Sequence, residues 1–246
     1  NVLSINNNVL ANMPKIDLII GGSPCQGFSI AGKKLNFDDE RSKLFFEFVR
    51  ILNYIKKYNN PDVKFLLENV KMKDEIAQII DTLLGVTHLY INSKDFTGMI
   101  RKRFYWTNIQ TNPYPCKDIK IKDIINNDIP YTKSLEYLLS KTKYAPTISS
   151  EGIITINPKD LHDKQTWQRG RVYDIQGNCP TICATLFDLN ITQDHKYYRK
   201  LTINECEKLQ GLPENYTEGI PYTQRGKTLV NGWTLPVIKH FLTNIV

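Results

Sequence analysis

Ile16-Asp17-Leu18-Ile19-Ile20-Gly21-Gly22-Ser23-Pro24-Cys25-Gln26 is the stretch on which the fold turns. Its first five residues form a short apolar run rich in β-branched side chains, the pattern of a buried strand, and two glycines and a proline then force a tight loop. Reading outward, Lys43 to Tyr58 has helical spacing, Val63 to Leu67 repeats the strand pattern and runs into Glu68-Asn69-Val70, and Asp74 to Leu84 is helical again. His88 to Asn92 and Phe104 to Asn108 complete four expected strands. Strands that alternate with helices predict an α/β fold with a parallel sheet, whose chemistry gathers beyond the carboxyl ends of the strands. The loops after Ile20 and Leu67 are therefore the ones to search.

From about Thr111 to Asn178 the pattern breaks into short segments rich in Asn, Lys, Asp and Pro. The expected organisation is residues 1–110 as the main domain, 111–178 as a small inserted domain, and 179–246 as a return to the main domain. In that last part Thr202 with Glu205 three residues on makes a capping-box signature, and Pro236 sits where a first helical turn tolerates it. Leu235, Ile238, Phe241, Leu242 and Ile245 are expected to form the buried face of the final helix.

With 41% apolar residues over 246 positions the chain has material for a substantial core. A formal charge of +7 and a pI near 9.0 point toward a polyanionic partner. The five cysteines have no framework spacing, which argues against a secreted disulfide scaffold and for a reducing, cytoplasmic setting. No run approaches the roughly 20 apolar residues a membrane span needs, and Asn1 to Leu10 lacks the features of a signal peptide.

Three places carry candidate chemistry. The loop Gly21 to Ser29 presents Cys25 directly after a strand, Leu66-Leu67-Glu68-Asn69-Val70 does the same for a carboxylate, and Ile100-Arg101-Lys102-Arg103-Phe104-Tyr105-Trp106 leads a basic pair into an aromatic strand. Each has an ordinary reading by itself: a buried thiol, a solvated or capping glutamate, a solvated charge cluster. Cys179 and Cys183 have no complementary Cys or His pair in the sequence around them, so no metal site is expected.

Taken together and in this order, the Pro-Cys-Gln loop, the Glu-Asn-Val loop and the Arg-x-Arg strand resemble the motifs of the DNA cytosine-5 methyltransferases. Arg41-Ser42-Lys43-Leu44, Leu201-Thr202 through Glu205 to Leu209-Gln210-Gly211-Leu212-Pro213, and Asn231-Gly232-Trp233 extend the likeness. The last of these, with Pro236-Val237-Ile238-Lys239-His240, is most similar to the branch that holds eukaryotic de novo enzymes and phage or bacterial relatives. The resemblance implies a Rossmann-like sheet, S-adenosylmethionine as methyl donor, and a target-recognition domain at 111–178. Double-stranded DNA is the implied substrate, in a restriction-modification setting, at the nucleoid of a prokaryotic or phage-infected cell.

The chemistry accounts for the residue types. Carbon 5 of cytosine is a poor nucleophile until a thiolate adds at carbon 6, and Cys25 is the implied nucleophile. The charge this pushes toward ring nitrogen 3 and oxygen 2 calls for a carboxyl and a fixed cation, which the resemblance assigns to Glu68 and to Arg103 with Arg101. A base within the stack is out of reach, so the cytosine must be flipped out. The same resemblance places Pro24, Leu44, Asn231 and Trp233 around the cofactor, and Gln26 and Ser29 on DNA.

The chain departs from the pattern in four respects. The family's glycine-rich cofactor loop and the acidic residue that holds the ribose do not appear, Val230 replaces a usual Gly, and Met99 replaces a frequent Gln. The first two lead to the expectation that an N-terminal segment or partner chain completes the cofactor site. A tRNA methyltransferase of the same ancestry shares these loops, and a non-catalytic DNA-binding relative is the alternative from another class. Intact Cys25, Glu68, Arg101 and Arg103 speak against the latter.

Overall fold

The computed structural model describes residues 1–22, 40–114, 116–142, 146–162, 164, 170–183, 189–243 and 245, with side chains in the helix that starts at Glu40 described from Leu44 onward. Two compact units are present: one of residues 1–91, 102–112 and 241–246, the other of residues 92–101 and 113–240.

The first unit is built on four strands, β1 (Leu18–Gly22), β2 (Lys64–Val70), β3 (Leu89–Asn92) and β4 (Lys102–Thr107), in the order β1-β2-β4-β3. β2 is buried from Phe65 to Asn69, with the apolar run Phe65-Leu66-Leu67 followed by the buried polar residues Glu68 and Asn69. Helices α1 (Asn7–Ala11), α2 (Glu40–Tyr58) and α3 (Asp74–Leu84) accompany the sheet. Phe45, Leu52 and Ile55 of α2, Phe65 and Leu67 of β2, Ala77 and Ile80 of α3, and Phe104 and Trp106 of β4 share one core. α3 starts with Asp74 and Glu75 in its first turn, favourable against the helix dipole, and ends at Gly85 in the left-handed region with φ 71°.

The sheet is not wholly parallel, contrary to the sequence expectation. β1 and β2 are parallel, but β4 runs antiparallel to β2, pairing Glu68 with Tyr105 and Val70 with Arg103. The link from Ser93 to Arg101 is too short for the crossover of about a dozen residues that parallel neighbours need, so the chain reverses there. Strand boundaries also shift: β1 extends through both glycines, and β4 starts at Lys102 rather than Phe104.

In the second unit, β5 (Lys133–Ser134), β6 (Thr147–Ile148), β7 (Ile154–Thr155), β8 (Val172–Asp174), β9 (Asn190–Thr192) and β10 (Tyr197–Lys200) form a sheet in the order β5-β10-β9-β8-β7-β6. This sheet spans position 178: β8 lies parallel to β9, and β10 pairs antiparallel with β5. The compact unit thus joins residues on both sides of the boundary expected from composition. Short helices α4 (Lys94–Thr97), α5 (Glu136–Ser140), α6 (Ile203–Leu209) and α7 (Tyr222–Asn231) belong to it, and Met99, Tyr173, Cys179, Ile191, Cys206 and Leu229 lie in its core. α8 (Leu235–Leu242) closes the order of elements.

Two local expectations meet different fates. Thr202 caps α6 as read: its hydroxyl accepts from Glu205 N at 3.2 Å, and Glu205 Oε2 accepts from Thr202 N at 2.7 Å. On α8, Ile238 and Phe241 are buried as expected, but Leu235 is 41% exposed and Val237 takes its place inside. The reason is local, since Leu235 opens the helix and its N–H donates to Gln210 O at 2.9 Å.

Candidate active site

Parallel pairing of β1 with β2 sets Gly22 beside Glu68 and Gly21 beside Leu67, so the carboxyl end of β1 delivers the chain to the position of the glutamate. A Cβ on Gly21 would come within 2.8 Å of the Phe48 ring, and the glycine is what lets α2 lie so close to this strand end. Pro24, Cys25, Gln26 and Ser29 lie outside the described residues.

Glu68 faces Tyr105 across the antiparallel pair, and Arg103, two residues from Tyr105, is its diagonal neighbour on the same face. The long guanidinium bridges that diagonal: Arg103 Nε lies 2.6 Å from Glu68 Oε1, with side chains only 15% and 12% exposed. A second donor, Arg103 Nη1, is held by Lys102 O at 2.9 Å. A carboxylate and a cation held this way, largely out of water, interact far more strongly than a surface pair.

A cavity of about 490 Å³ opens at the end of β1, lined by Gly21, Gly22, Leu44, Phe48, Ile51 and Leu67 among others. The size falls within the roughly 300–1,000 Å³ range of small-molecule sites. Its lining is apolar, and Leu44, one of the residues singled out in the sequence, is on its wall. Among the described lining residues none is a carboxylate that could hold ribose hydroxyls.

Arg101 parts company with Arg103. β4 begins one residue after it, so the two arginines do not share a strand face, and Arg101 instead belongs to the second unit. It is 4% exposed and donates from Nη1 to Val230 O at 3.1 Å and from Nη2 to Gly232 O at 2.9 Å. These carbonyls flank Asn231, the last residue of α7, whose side chain is exposed, while Trp233 is half-buried. The two unusual residues have packing roles: Val230 leans on the core of the second unit, and Met99 is fully buried within it.

Sequence reading missed two buried anchors. Arg199 donates to both Glu205 oxygens, Nη2 to Oε1 at 2.7 Å and Nη1 to Oε2 at 2.9 Å, and Asn126 N adds a third bond at 2.8 Å. Burial alone would push the Glu205 carboxyl up, but these bonds, that from Thr202 N–H and the Arg199 charge hold it below the usual carboxylate range. In the first unit Trp106 Nε1 donates to Asp81 Oδ1 at 2.6 Å, and His88 Nδ1 sits 3.0 Å from both Asp81 oxygens. Burial raises the Cys179 thiol far above its ordinary value, so it is a core side chain with little thiolate. Among the described residues no His, Cys, Asp and Glu group has a metal-binding arrangement.

The fold is of the α/β, Rossmann-like class, as in solved methyltransferase structures. Residues 2–246 match the family of C-5 cytosine-specific DNA methylases, and the chain belongs to that family. It is 33% identical over 260 residues to the Type II methyltransferase M.HaeII of Haemophilus aegyptius, covering 96% of this chain and 75% of that one. To the Type II methyltransferase M.NgoBI of Neisseria gonorrhoeae it is 30% identical over 252 residues, with the same coverage. A prophage-encoded E. coli protein crystallised as a candidate DNA modification methyltransferase superposes with a TM-score of 0.61 at 17% identity, covering 100% of this chain and 84% of that one. The enzyme transfers a methyl group to carbon 5 of a flipped-out cytosine in DNA through a cysteine adduct at carbon 6, with S-adenosylmethionine supplying the electrophilic methyl group.

Proposed function

We propose that Cys25, Glu68 and Arg103 carry this transfer. The observation behind the assignment is the register that pairs Gly22 with Glu68, combined with the Glu68–Arg103 bridge. Cys25 is three residues beyond Gly22, and an extended chain of that length reaches about 11 Å at most, so the thiol is tethered to the neighbourhood of the carboxylate. In this reading the Cys25 thiolate adds to carbon 6 while Glu68, in its protonated form, gives its proton to ring nitrogen 3; after methyl transfer, loss of the carbon 5 proton to a base expels the thiolate, and nitrogen 3 returns its proton to Glu68. Arg103 serves twice: it fixes the Glu68 rotamer, and it presents a charge that cannot be lost near oxygen 2.

Leu44 contributes the apolar wall for the cofactor. Pro24, Asn231 and Trp233 are assigned to the same cofactor, and Gln26 and Ser29 to DNA, by resemblance rather than by geometry. We further infer that additional strands complete the cofactor site from another segment or chain. In its support, β1 has β2 as its one neighbour among the described strands, and Ile20 on it is 37% exposed. Such an open, apolar edge invites pairing. Residues 111–178 hold most of the target recognition, and the enzyme acts at the nucleoid. Among the described residues no helix is long and apolar enough to cross a membrane.

Bisulfite sequencing of DNA from cells that express the full-length gene tests the proposal. Protected cytosines confined to one short sequence, lost with Cys25→Ala, are the expected result; a pattern unchanged in that variant refutes the assignment.

A further inference from the structure

The C-terminus of α7 poses a problem that every helix end poses: its last carbonyls have no intrahelical partner. Here α7 stops at Asn231 and the chain turns through Gly232 and Trp233 into α8, so the unsatisfied carbonyls surround the very residues assigned to the cofactor. They are satisfied by side chains from elsewhere in the second unit. Gln210, 1% exposed, donates its amide to Leu229 O and accepts from Thr234 Oγ1 at 3.1 Å. Ser93 Oγ in turn donates to Thr234 Oγ1 at 2.9 Å. Arg101 takes the carbonyl of Val230, in the last turn, and that of Gly232, just past the helix end. Its own backbone is pinned, with Arg101 N donating to Asn92 Oδ1 at 3.0 Å and Arg101 O accepting from Ser93 N at 3.0 Å.

We infer that Arg101 is a positioning residue for the cofactor turn: by bridging the carbonyls of Val230 and Gly232 it fixes the backbone on either side of Asn231 and sets where the Asn231 carboxamide and the Trp233 ring point. The inference rests on the assignment of Asn231 to the cofactor. A planar guanidinium suits the task because two donors at fixed spacing can span two carbonyls, which a lysine ammonium cannot do in the same way. Its burial adds to the effect, since an unpaired carbonyl at this depth would be costly. Of the two arginines in the Arg-x-Arg pattern, one then serves the base and the other serves the cofactor.

The test compares Arg101→Lys, Arg103→Lys, Asn231→Ala and the Arg101→Lys/Asn231→Ala double variant in the full-length enzyme, each first shown to keep a cooperative melt. Calorimetry with S-adenosylhomocysteine reads binding, and single-turnover methylation of cytosine-containing duplex DNA at saturating S-adenosylmethionine reads the chemical step. Arg101→Lys is expected to weaken binding about tenfold, as loss of one charge-assisted hydrogen bond predicts, and to leave the saturated rate within about threefold. Arg103→Lys is expected to do the reverse. The double variant should bind hardly more weakly than Asn231→Ala alone, because both changes act through one turn. Additive effects, or a saturated rate that falls in Arg101→Lys while binding is unchanged, overturn the inference. Unchanged binding in both Arg101→Lys and Asn231→Ala overturns it together with the assignment of Asn231. A parent enzyme that binds S-adenosylhomocysteine but methylates no duplex sinks the DNA reading alone, and the calorimetry still decides the role of Arg101.

Discussion

Arg103 Nε and Glu68 Oε1 stand 2.6 Å apart on diagonal positions of two antiparallel strands, in a setting that leaves each side chain less than one-sixth exposed. That arrangement removes rotamer freedom from the carboxylate, so that in the role proposed for Glu68 its placement against the reacting ring would be set by the sheet before any base arrives.

Glu68→Gln keeps the shape and an acceptor for Arg103 but removes the proton donor that the proposal assigns to this position. Single-turnover methylation is expected to slow by roughly a hundred- to ten-thousand-fold, with DNA affinity nearly unchanged. A rate within about threefold of the parent would show that Glu68 is not the acid.

The buried Arg199–Glu205 pair predicts a pH-dependent stability. Glu205 has its carboxyl lowered from the ordinary value of 4.5, so its contribution is complete above that pH and is lost as pH falls through the lower folded-state value. Thermal melts from pH 7 down to pH 3 should show this acid limb. Glu205→Ala strands Arg199 and is expected to cost about 3–5 kcal/mol at pH 7, and it should flatten the limb. An equally steep limb in the variant contradicts the assignment.

Asp81 ties α3 to β4 through the Trp106 indole and receives His88 as well. Asp81→Ala leaves the buried indole N–H unpaired, at an expected cost of about 1–3 kcal/mol, whereas Asp81→Asn keeps an acceptor and loses less. Equal denaturation midpoints for the two variants would show that the indole bond contributes nothing.

How much of this was visible in the sequence depended on the range of the interaction concerned. The helix from Asp74 to Leu84 was legible to the residue, because its apolar period and the glycine after it are local signals. So was the Thr202–Glu205 cap, which spans three residues. The reversal of β4 was hidden, since strand direction follows from link length and pairing and not from the composition of the strand. Arg101 and Arg103 look equivalent at a two-residue spacing, and only the start of β4 between them sends one to Glu68 and the other to the turn at Asn231. The second partner of Glu205 was equally hidden, because Asn126 lies 79 residues away.

The sheet topology sets the boundaries for a swap of the recognition region. An exchange of residues 111–178 would replace β5 to β8 and leave β9 and β10, cutting the β8–β9 and β5–β10 pairings. An exchange of residues 113–200 carries the whole sheet. The longer chimera with a relative is expected to fold and to move the methylated sequence to that of the donor, and the shorter one to melt lower. Better folding of the shorter chimera would contradict the account.

The central claim, that Cys25 attacks carbon 6 of a cytosine held by Glu68 and Arg103, is tested most directly by covalent trapping. Duplex DNA with 5-fluorocytosine at every cytosine cannot lose its carbon 5 substituent after methyl transfer, so the adduct has no way to resolve. With S-adenosylmethionine present, the full-length enzyme is expected to migrate as a denaturant-stable protein–DNA complex, and Cys25→Ala to give none. A complex that persists in Cys25→Ala, or its absence with a parent enzyme that methylates ordinary DNA, would contradict the account.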